Sequence, residues 1–166
     1  MDHGDAFDDI LAANDDYVAN FRLGGLAPTA ARGLAVLTCM DSRIEPLAML
    51  GLAAGDAKIL RNAGARMTDD VLRTLVLARY LLGVRRVMVV AHTRCRMAAG
   101  TEQEVHDAIR DAGGPDTRGI SFLVTTDQTE TLRGDVQRAR SWPYLLDTAI
   151  GGFRYDVDTG QLARIC

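Results

Sequence analysis

Two short stretches of the chain carry side chains of the kinds that bind a metal ion. The first runs from Cys39 through Asp41 to Arg43, and the second contains His92 and Cys95. Two thiolates and one imidazole are a ligand set that zinc uses, and three protein ligands leave one coordination position open for a reaction. The pattern therefore predicts a catalytic zinc site, although the His-x-x-Cys spacing alone arises by chance in many chains.

Asp41 and Arg43 indicate what such a metal would be used for. With one residue between them, both side chains can point to the same side of an extended segment. Arginine can hold a carboxylate through two hydrogen bonds and keep it ionised. A carboxylate beside a metal-bound water can orient that water or accept its proton. The alternative is a surface ion pair that contributes less than about 1 kcal/mol.

Other interpretations of the cysteines stay open at this stage. Cys39 and Cys95 could be small buried residues of the core, with the histidine hydrogen-bonded in a loop. A cysteine loop that grips phosphate would need Arg six positions after Cys39, where the sequence has Glu45. Cys95, flanked by Arg94 and Arg96, could be a redox thiol with a lowered pKa, although no Cys-x-x-Cys pair accompanies it.

Short, nearly continuous apolar runs predict the strands that would position these residues. The predicted strands span residues 33–39, 58–62, 85–91 and 120–124, and alternation over 153–157 predicts a half-buried edge strand. Cys39 and His92 fall at the carboxyl ends of the first and third strands. Because neighbouring parallel strands lie about 4.8 Å apart, these two side chains can share one metal. Cys95 can reach the same metal from the turn that follows His92.

Helical spacing of apolar residues predicts four helices. They span residues 5–22, 69–82, 102–112 and 129–140. Thr68 can cap the second helix, and Gly83 can end it. Strands that alternate with helices predict a three-layer α/β/α fold with a four-stranded, mostly parallel sheet and one further edge strand.

Length and composition exclude several classes of protein. The chain has 166 residues and a net charge of −3 at pH 7, which predicts one domain over residues 1–166 with no nucleic-acid partner. No apolar run reaches the roughly 20 residues that cross a bilayer, so we expect no membrane partner. The acidic N-terminus has no basic leader region. We therefore expect a cytoplasmic protein whose three cysteines stay reduced.

Taken together, the motifs resemble those of the β-class carbonic anhydrases, especially their short microbial branch. The resemblance covers about residues 5–163 in matching order. The stretches that carry it are 39–43, 61–64, the helix that follows Thr68, 92–95 and 152–160. The combination is far more specific than any one motif, and it implies the α/β fold predicted above.

The resemblance also implies a reaction and roles for the site residues. Zinc would be held by Cys39, His92 and Cys95, and zinc-bound hydroxide would hydrate carbon dioxide reversibly to bicarbonate and a proton. Asp41 would orient the water in the active form, or take the fourth position on zinc in a closed, inactive form. Arg43 would hold Asp41 off the metal.

Two features bear on the substrate pocket. The small-residue turn Ala63, Gly64 and Ala65 permits close approach of the backbone and could wall an apolar pocket. The residue after the last ligand is often glycine in the family, but here it is Arg96, so Arg96 is a candidate to alter the pocket. A sister group of the family hydrolyses carbonyl sulfide or carbon disulfide on the same zinc site, which makes that activity the first alternative.

The resemblance finally implies a homodimer or a dimer-based tetramer. Its N-terminal helical arm, within residues 1–30, would embrace the partner subunit, and residues 31–166 would form the catalytic core. A second alternative is not an enzyme. It is a zinc-stabilised interaction or sensor domain whose pocket Arg96 closes.

Overall fold

A five-stranded sheet forms the centre of the computed structural model, which describes residues 6–166. The strands are β1 (Leu34–Cys39), β2 (Ala57–Asn62), β3 (Arg86–His92), β4 (Ala149–Tyr155) and β5 (Leu162–Arg164). Their order is β2-β1-β3-β4-β5, with β1 to β4 parallel and β5 antiparallel to β4. This confirms the predicted α/β class, with four parallel strands and one further edge strand.

Within residues 6–166, four α-helices accompany the sheet, at the places that the apolar spacing predicts. They are α1 (Asp8–Ala19), α2 (Asp69–Leu81), α3 (Glu102–Asp111) and α4 (Gln128–Arg140). The Thr68 hydroxyl accepts a hydrogen bond from the Val71 N–H at the start of α2, as an N-cap residue does. The predicted first helix began at residue 5, which lies outside the described residues, as do the first five residues of the predicted arm. No helix in the described part of the chain is long and apolar enough to cross a membrane.

The two faces of the sheet are covered to different extents. On one face, Leu37 and Val89 pack in a core cluster with residues of α2 and α4, including Leu75 and Val136. On the other face, Val36 and its neighbours pack against a short segment that includes the 3-10 helix Ala48–Leu50. No residue of α1 is buried, so α1 does not pack over the second face.

The predicted strand at 120–124 is wrong: this segment is an extended loop. The Glu102 carboxylate accepts hydrogen bonds from the Phe122 and Val124 N–H groups, each at 3.0 Å. Leu123 has a left-handed backbone with φ 58°, and its carbonyl accepts a hydrogen bond from Arg66 at 2.6 Å. Because side chains satisfy these backbone groups, the segment does not need a neighbouring strand.

The fourth parallel strand is β4 instead, and it lies between β3 and β5 rather than at the sheet edge predicted for 153–157. Gly151 and Gly152 interrupt its apolar pattern, so the run was not apparent in the sequence. A Cβ at Gly152 would lie 2.6 Å from the Cys166 Sγ atom. Glycine therefore lets the last residues of the chain lie directly against β4.

Candidate metal centre

Cys39, His92 and Cys95 meet at the carboxyl edge of the sheet. Cys39 is the last residue of β1 and His92 is the last residue of β3, and these two strands are neighbours. Cys95 follows in the next turn. The ligand atoms of the three residues lie within 4.8 Å of one another, and the two Sγ atoms are 4.0 Å apart. All three side chains are buried, with at most 5% exposure.

The imidazole of His92 is oriented as a metal ligand would be. Its Nδ1 atom lies 2.9 Å from the Thr93 carbonyl oxygen, so Nδ1 donates a proton there and Nε2 keeps its lone pair. The Nε2 atom is buried and has no hydrogen-bond partner among the residues that the structure describes. A buried polar atom is rarely left in this state, and a metal shared with two thiolates would satisfy it. The three residues therefore fit a metal ion.

The two thiols lie within hydrogen-bond distance of each other. The hydrogen bond from Cys95 is the largest cause that lowers the pKa of Cys39, to about 3, and the Gly64 N–H also donates to Cys39 Sγ at 3.3 Å. The same hydrogen bond, together with burial, raises the pKa of Cys95. Thiolates are the form that binds metals, so the lowered pKa of Cys39 favours metal binding at that sulfur.

Hydrogen bonds fix the turn that carries His92 and Cys95. The Thr93 N–H donates to the Tyr155 carbonyl at 2.9 Å, and the Thr93 hydroxyl accepts from the Val157 N–H at 3.0 Å. The Gln128 side chain, at the start of α4, donates to the His92 carbonyl at 3.0 Å. Gln128 could not be identified from the sequence, because its contact joins residues from two distant elements.

Asp41 and Arg43 form a forked ion pair beside the three ligands. The Arg43 side chain donates to both carboxylate oxygens of Asp41, at 2.9 and 2.7 Å, and the Arg43 backbone N–H donates at 3.0 Å. Asp41 Oδ2 lies 3.9 Å from the unpaired Nε2 of His92. The hydrogen bonds from Arg43 hold the pKa of Asp41 well below its usual range. Asp41 is therefore an ionised acceptor at the edge of the ligand cluster.

The side chain of Arg61 donates hydrogen bonds to main-chain carbonyls of the loop that carries Asp41. Its guanidinium donates to the Cys39 carbonyl at 3.0 Å and to the Asp41 carbonyl at 2.6 Å. The residue lay within a motif that resembles the family, but the sequence did not reveal this contact. Arg61 thus links the edge strand β2 to the residues on either side of Met40.

Of the residues predicted to shape the substrate pocket, only part of the small-residue turn lines a cavity beside the site. Gly64 and Ala65 line a cavity of about 10 Å³ beside Cys95, together with Leu123, whereas Ala63 and Arg96 are not among its lining residues. Such a volume holds about one water molecule. Arg96 is exposed and begins the 3-10 helix Arg96–Ala98.

The left-handed backbone of this turn lies at Arg94 and not at Arg96, the position where the family often has glycine. Arg96 is not among the residues with positive φ, whereas Arg94, between the two ligands, has φ 54°. Gly64 also has a positive φ, of 80°, and a Cβ there would lie 3.1 Å from Met97 Cβ. Glycine is therefore needed at 64, and position 96 makes no such demand.

Comparisons of the sequence with known proteins agree on one group. The sequence pattern of the family described as carbonic anhydrase matches residues 34–114. Beta-carbonic anhydrase 1 of Mycobacterium tuberculosis is 36% identical over 161 residues, which cover 95% of this chain and 96% of that protein. A carbon disulfide hydrolase of Acidithiobacillus thiooxidans is 33% identical over 128 residues, covering 74% of this chain and 58% of that protein.

The fold matches solved structures equally well. The crystal structure of carbonic anhydrase from Streptococcus mutans superimposes with a TM-score of 0.89 at 37% sequence identity. The match covers 100% of this chain and 99% of that chain. The similarity thus extends over the sheet, the helices and the turns that carry the candidate ligands.

Proposed function

The chain belongs to the β-carbonic anhydrase family, and on that basis we propose that it catalyses the reversible hydration of carbon dioxide to bicarbonate and a proton. Cys39, His92 and Cys95 would hold a zinc ion for this reaction. The observation that carries the proposal is the buried, unpaired Nε2 of His92 among two thiols, with an arginine-held carboxylate 3.9 Å away.

Zinc is the metal that this donor set favours. Two thiolates and one imidazole are soft to intermediate ligands, and a site with three protein ligands is typical of catalytic zinc. Zinc bound there would supply a Lewis acid that lowers the pKa of a water ligand from 15.7 to about 7. The cytoplasm, where we propose that the protein works, would keep both thiols reduced.

Asp41 would handle the reacting water and its proton. Its Oδ1 atom is occupied by the Arg43 backbone and Nε groups, while Oδ2 accepts only from Nη2. Oδ2 therefore has a lone pair free on the side that faces His92. Through that lone pair Asp41 would accept a hydrogen bond from the water and orient its oxygen toward carbon dioxide. Arg43 keeps the carboxylate ionised and in place.

Stopped-flow assays of carbon dioxide hydration test this role. Asp41→Ala should keep one zinc per chain and lower kcat by roughly 10²-fold, the contribution typical of a positioned acid or base. The matched control is Asp116→Ala, because Asp116 forms the same kind of fork with Arg118. Unchanged hydration by the Asp41 variant would remove Asp41 from the reaction, and a zinc-loaded wild-type protein without hydration activity would overturn the proposed function.

Hydrolysis of carbonyl sulfide or carbon disulfide is the second candidate. The similarity to a carbon disulfide hydrolase over 74% of this chain supports it. These molecules are linear and uncharged, as carbon dioxide is, so the same site could attack their carbon atom. Sulfide release should be measured beside carbon dioxide hydration. Fast sulfide release with negligible hydration would favour this candidate, and inactivity on all three substrates would favour a non-catalytic zinc domain.

We also propose that the arm formed by α1 binds a second copy of the chain. Large apolar side chains on and near α1 are 46–65% exposed: Phe7, Ile10, Leu11, Tyr17, Val18 and Phe21. The acidic residues Asp8, Asp9, Asp15 and Asp16 lie between them. A helix of 12 residues is only marginally stable alone in water, so this apolar surface favours a partner.

A groove on the less covered face of the sheet is complementary to α1 in charge and in apolar surface. Its volume is about 700 Å³, and its lining includes four arginines and no acidic residue. The arginines are Arg32, Arg86, Arg140 and Arg164, and apolar residues such as Leu34 and Phe153 form part of the wall. The buried Thr148 hydroxyl, also in this wall, has no hydrogen-bond partner among the described residues. An acidic, amphipathic helix matches both the charge and the apolar surface.

Light scattering after size-exclusion chromatography tests this assembly. The wild type should elute with the mass of two chains or a multiple of two, and Ile10→Asp should shift the mass to one chain. Leu146→Asp is the control, because Leu146 is equally exposed, at 67%, but lies outside α1 and the groove. Arg86→Glu should weaken the dimer and Asp9→Lys should restore it in part. A monomeric wild type would refute the proposal.

A further inference from the structure

The described residues include three that have left-handed backbones without being glycine, and all three lie at or beside the metal centre. They are Ala65, Arg94 and Leu123, with φ of 57°, 54° and 58°. Ala65 and Leu123 line the cavity beside Cys95, and Arg94 stands between His92 and Cys95. Residues other than glycine disfavour this conformation, so they adopt it mainly where the surrounding structure enforces a functional geometry.

The conformation of Arg94 directs its carbonyl oxygen toward Arg43, the arginine of the forked ion pair with Asp41. The Arg94 carbonyl oxygen accepts a hydrogen bond from Arg43 Nη2 at 3.2 Å. The same Nη2 atom donates to Asp41 Oδ2 at 2.7 Å. A change of backbone angles at Arg94 would turn the carbonyl away, and Arg43 would then be held only by Asp41.

Asp158 binds the side chain of Arg94. Its carboxylate pairs with the Arg94 guanidinium, which otherwise would stand as an unpaired positive charge near Arg43. Asp158 is itself fixed, because the Asp158 and Thr159 N–H groups donate to Asp156 Oδ1 at 2.9 and 3.0 Å. The turn between β4 and β5 thus reaches across to the turn that carries the ligands.

We propose that Arg94 is a positioning residue for the fork. Held in its left-handed conformation by Asp158, it fixes Arg43 through its carbonyl, and through Arg43 it sets the distance of Asp41 from the metal. The activity readout of this inference rests on the proposed carbon dioxide hydration. Its spectroscopic readout does not, because it reports only on the metal's ligands.

The first test separates backbone conformation from side chain at position 94. Alanine at position 94 still disfavours positive φ and loses the pair with Asp158, so in Arg94→Ala kcat and kcat/KM should fall together by roughly two- to fivefold, the range of an exposed ion pair. Arg94→Gly adopts positive φ freely and should recover most of that loss. Equal activity of the alanine variant and wild type, or a glycine variant as slow as the alanine variant, overturns the proposal.

The second test uses cobalt(II) in place of zinc, since its visible spectrum reports the ligand set. Asp158→Asn should shift the spectrum, because a less firmly held Asp41 carboxylate contacts the metal more often. The same change in an Asp41→Ala background should shift nothing. Asp116→Asn, which disrupts the remote fork, is the control and should leave both spectrum and kcat unchanged. An unshifted Asp158→Asn spectrum, or a shift that persists without Asp41, overturns the proposal even if carbon dioxide proves not to be the substrate.

Discussion

Asp41 with Arg43 and Asp116 with Arg118 form nearly the same forked ion pair in two regions of the molecule. In each, the arginine backbone N–H donates to Oδ1, at 3.0 and 3.1 Å, and Nη2 donates to Oδ2, at 2.7 and 2.6 Å. In each, the hydrogen bonds from arginine hold the pKa of the aspartate well below its usual range. The Asp-x-Arg spacing therefore builds the fork by itself.

The two forks differ in their neighbours. The Asp41 side chain is 19% exposed and lies 3.9 Å from buried His92 Nε2. The Asp116 side chain is 61% exposed and borders an open groove beside α3. Arg43 also donates to a main-chain carbonyl of the ligand turn. A motif of three residues thus gives geometry and charge, whereas the candidate ligands at the neighbouring strand ends supply the chemistry.

Substitution of a proposed metal ligand should leave the Asp41–Arg43 fork without a metal ion beside it, as the Asp116–Arg118 fork is expected to be. His92→Ala, Cys39→Ala and Cys95→Ala should each abolish stoichiometric zinc, because three ligands converge on one position and the loss of one leaves an incomplete set. Elemental analysis of dialysed protein measures this effect. Cys166→Ala should keep one zinc per chain, and full retention of zinc after any ligand change would exclude that residue from the site.

Substitution of Gly64 tests how tightly the residues around the first fork are packed. Gly64→Ala introduces left-handed strain of about 1–2 kcal/mol and a 3.1 Å contact with Met97, so we expect destabilisation of about 2–4 kcal/mol in urea unfolding. Gly51→Ala is the control, because Gly51 has φ 63° with nothing near its Cβ. Gly51→Ala should lower the free energy of unfolding only by the left-handed backbone strain. Equal losses in the two variants would show that the contact with Met97 is relieved freely.

The pH dependence of zinc uptake tests the thiols that only the first fork has beside it. The hydrogen bond between the thiols lowers the pKa of Cys39 and raises that of Cys95, so we expect Cys95 to keep its proton at pH 7.5 until zinc binds. Zinc must displace that proton, so its affinity should weaken about tenfold for each unit that the pH falls. Calorimetry in two buffers of different ionisation enthalpy measures the released proton. Binding without proton release would contradict the raised pKa of Cys95.

Arg43→Lys gives the smallest expected effect. Lysine keeps the charge but cannot donate to both carboxylate oxygens from a rigid fork, so carbon dioxide hydration should fall by about tenfold or less. Arg118→Lys makes the same change in the other fork and should leave hydration at the wild-type rate. Equal rates for both variants and wild type would show that charge, and not the fork, is what Asp41 requires.

Much of this architecture could be predicted from the sequence, because the decisive patterns are local. The apolar runs before Cys39 and His92 predict buried strands, and their ends bring the two residues to one edge of the sheet. The helical spacing after Thr68 and the cap itself likewise follow from neighbouring residues. Candidate metal ligands at the ends of strands can therefore be predicted from the sequence.

The parts that escaped prediction depend on side chains that satisfy distant backbone groups. Nothing near residues 120–124 reveals that Glu102 binds their N–H groups, so an apolar, β-branched segment was predicted as a strand. The glycines of β4 concealed a real strand because they pack against Cys166. Gln128 and the conformation of Arg94 could not be predicted either, since both follow from contacts between distant elements.

The unpaired Nε2 of His92 has a consequence for the lifetime of the chain. A buried nitrogen without a partner costs about 1–3 kcal/mol, and a metal present at 1,000 times its Kd would add about 4 kcal/mol to the stability of the folded state. The metal-free chain would consequently unfold more often and be degraded faster. The abundance of the protein would then follow the supply of metal, through proteolysis and without any change in its synthesis.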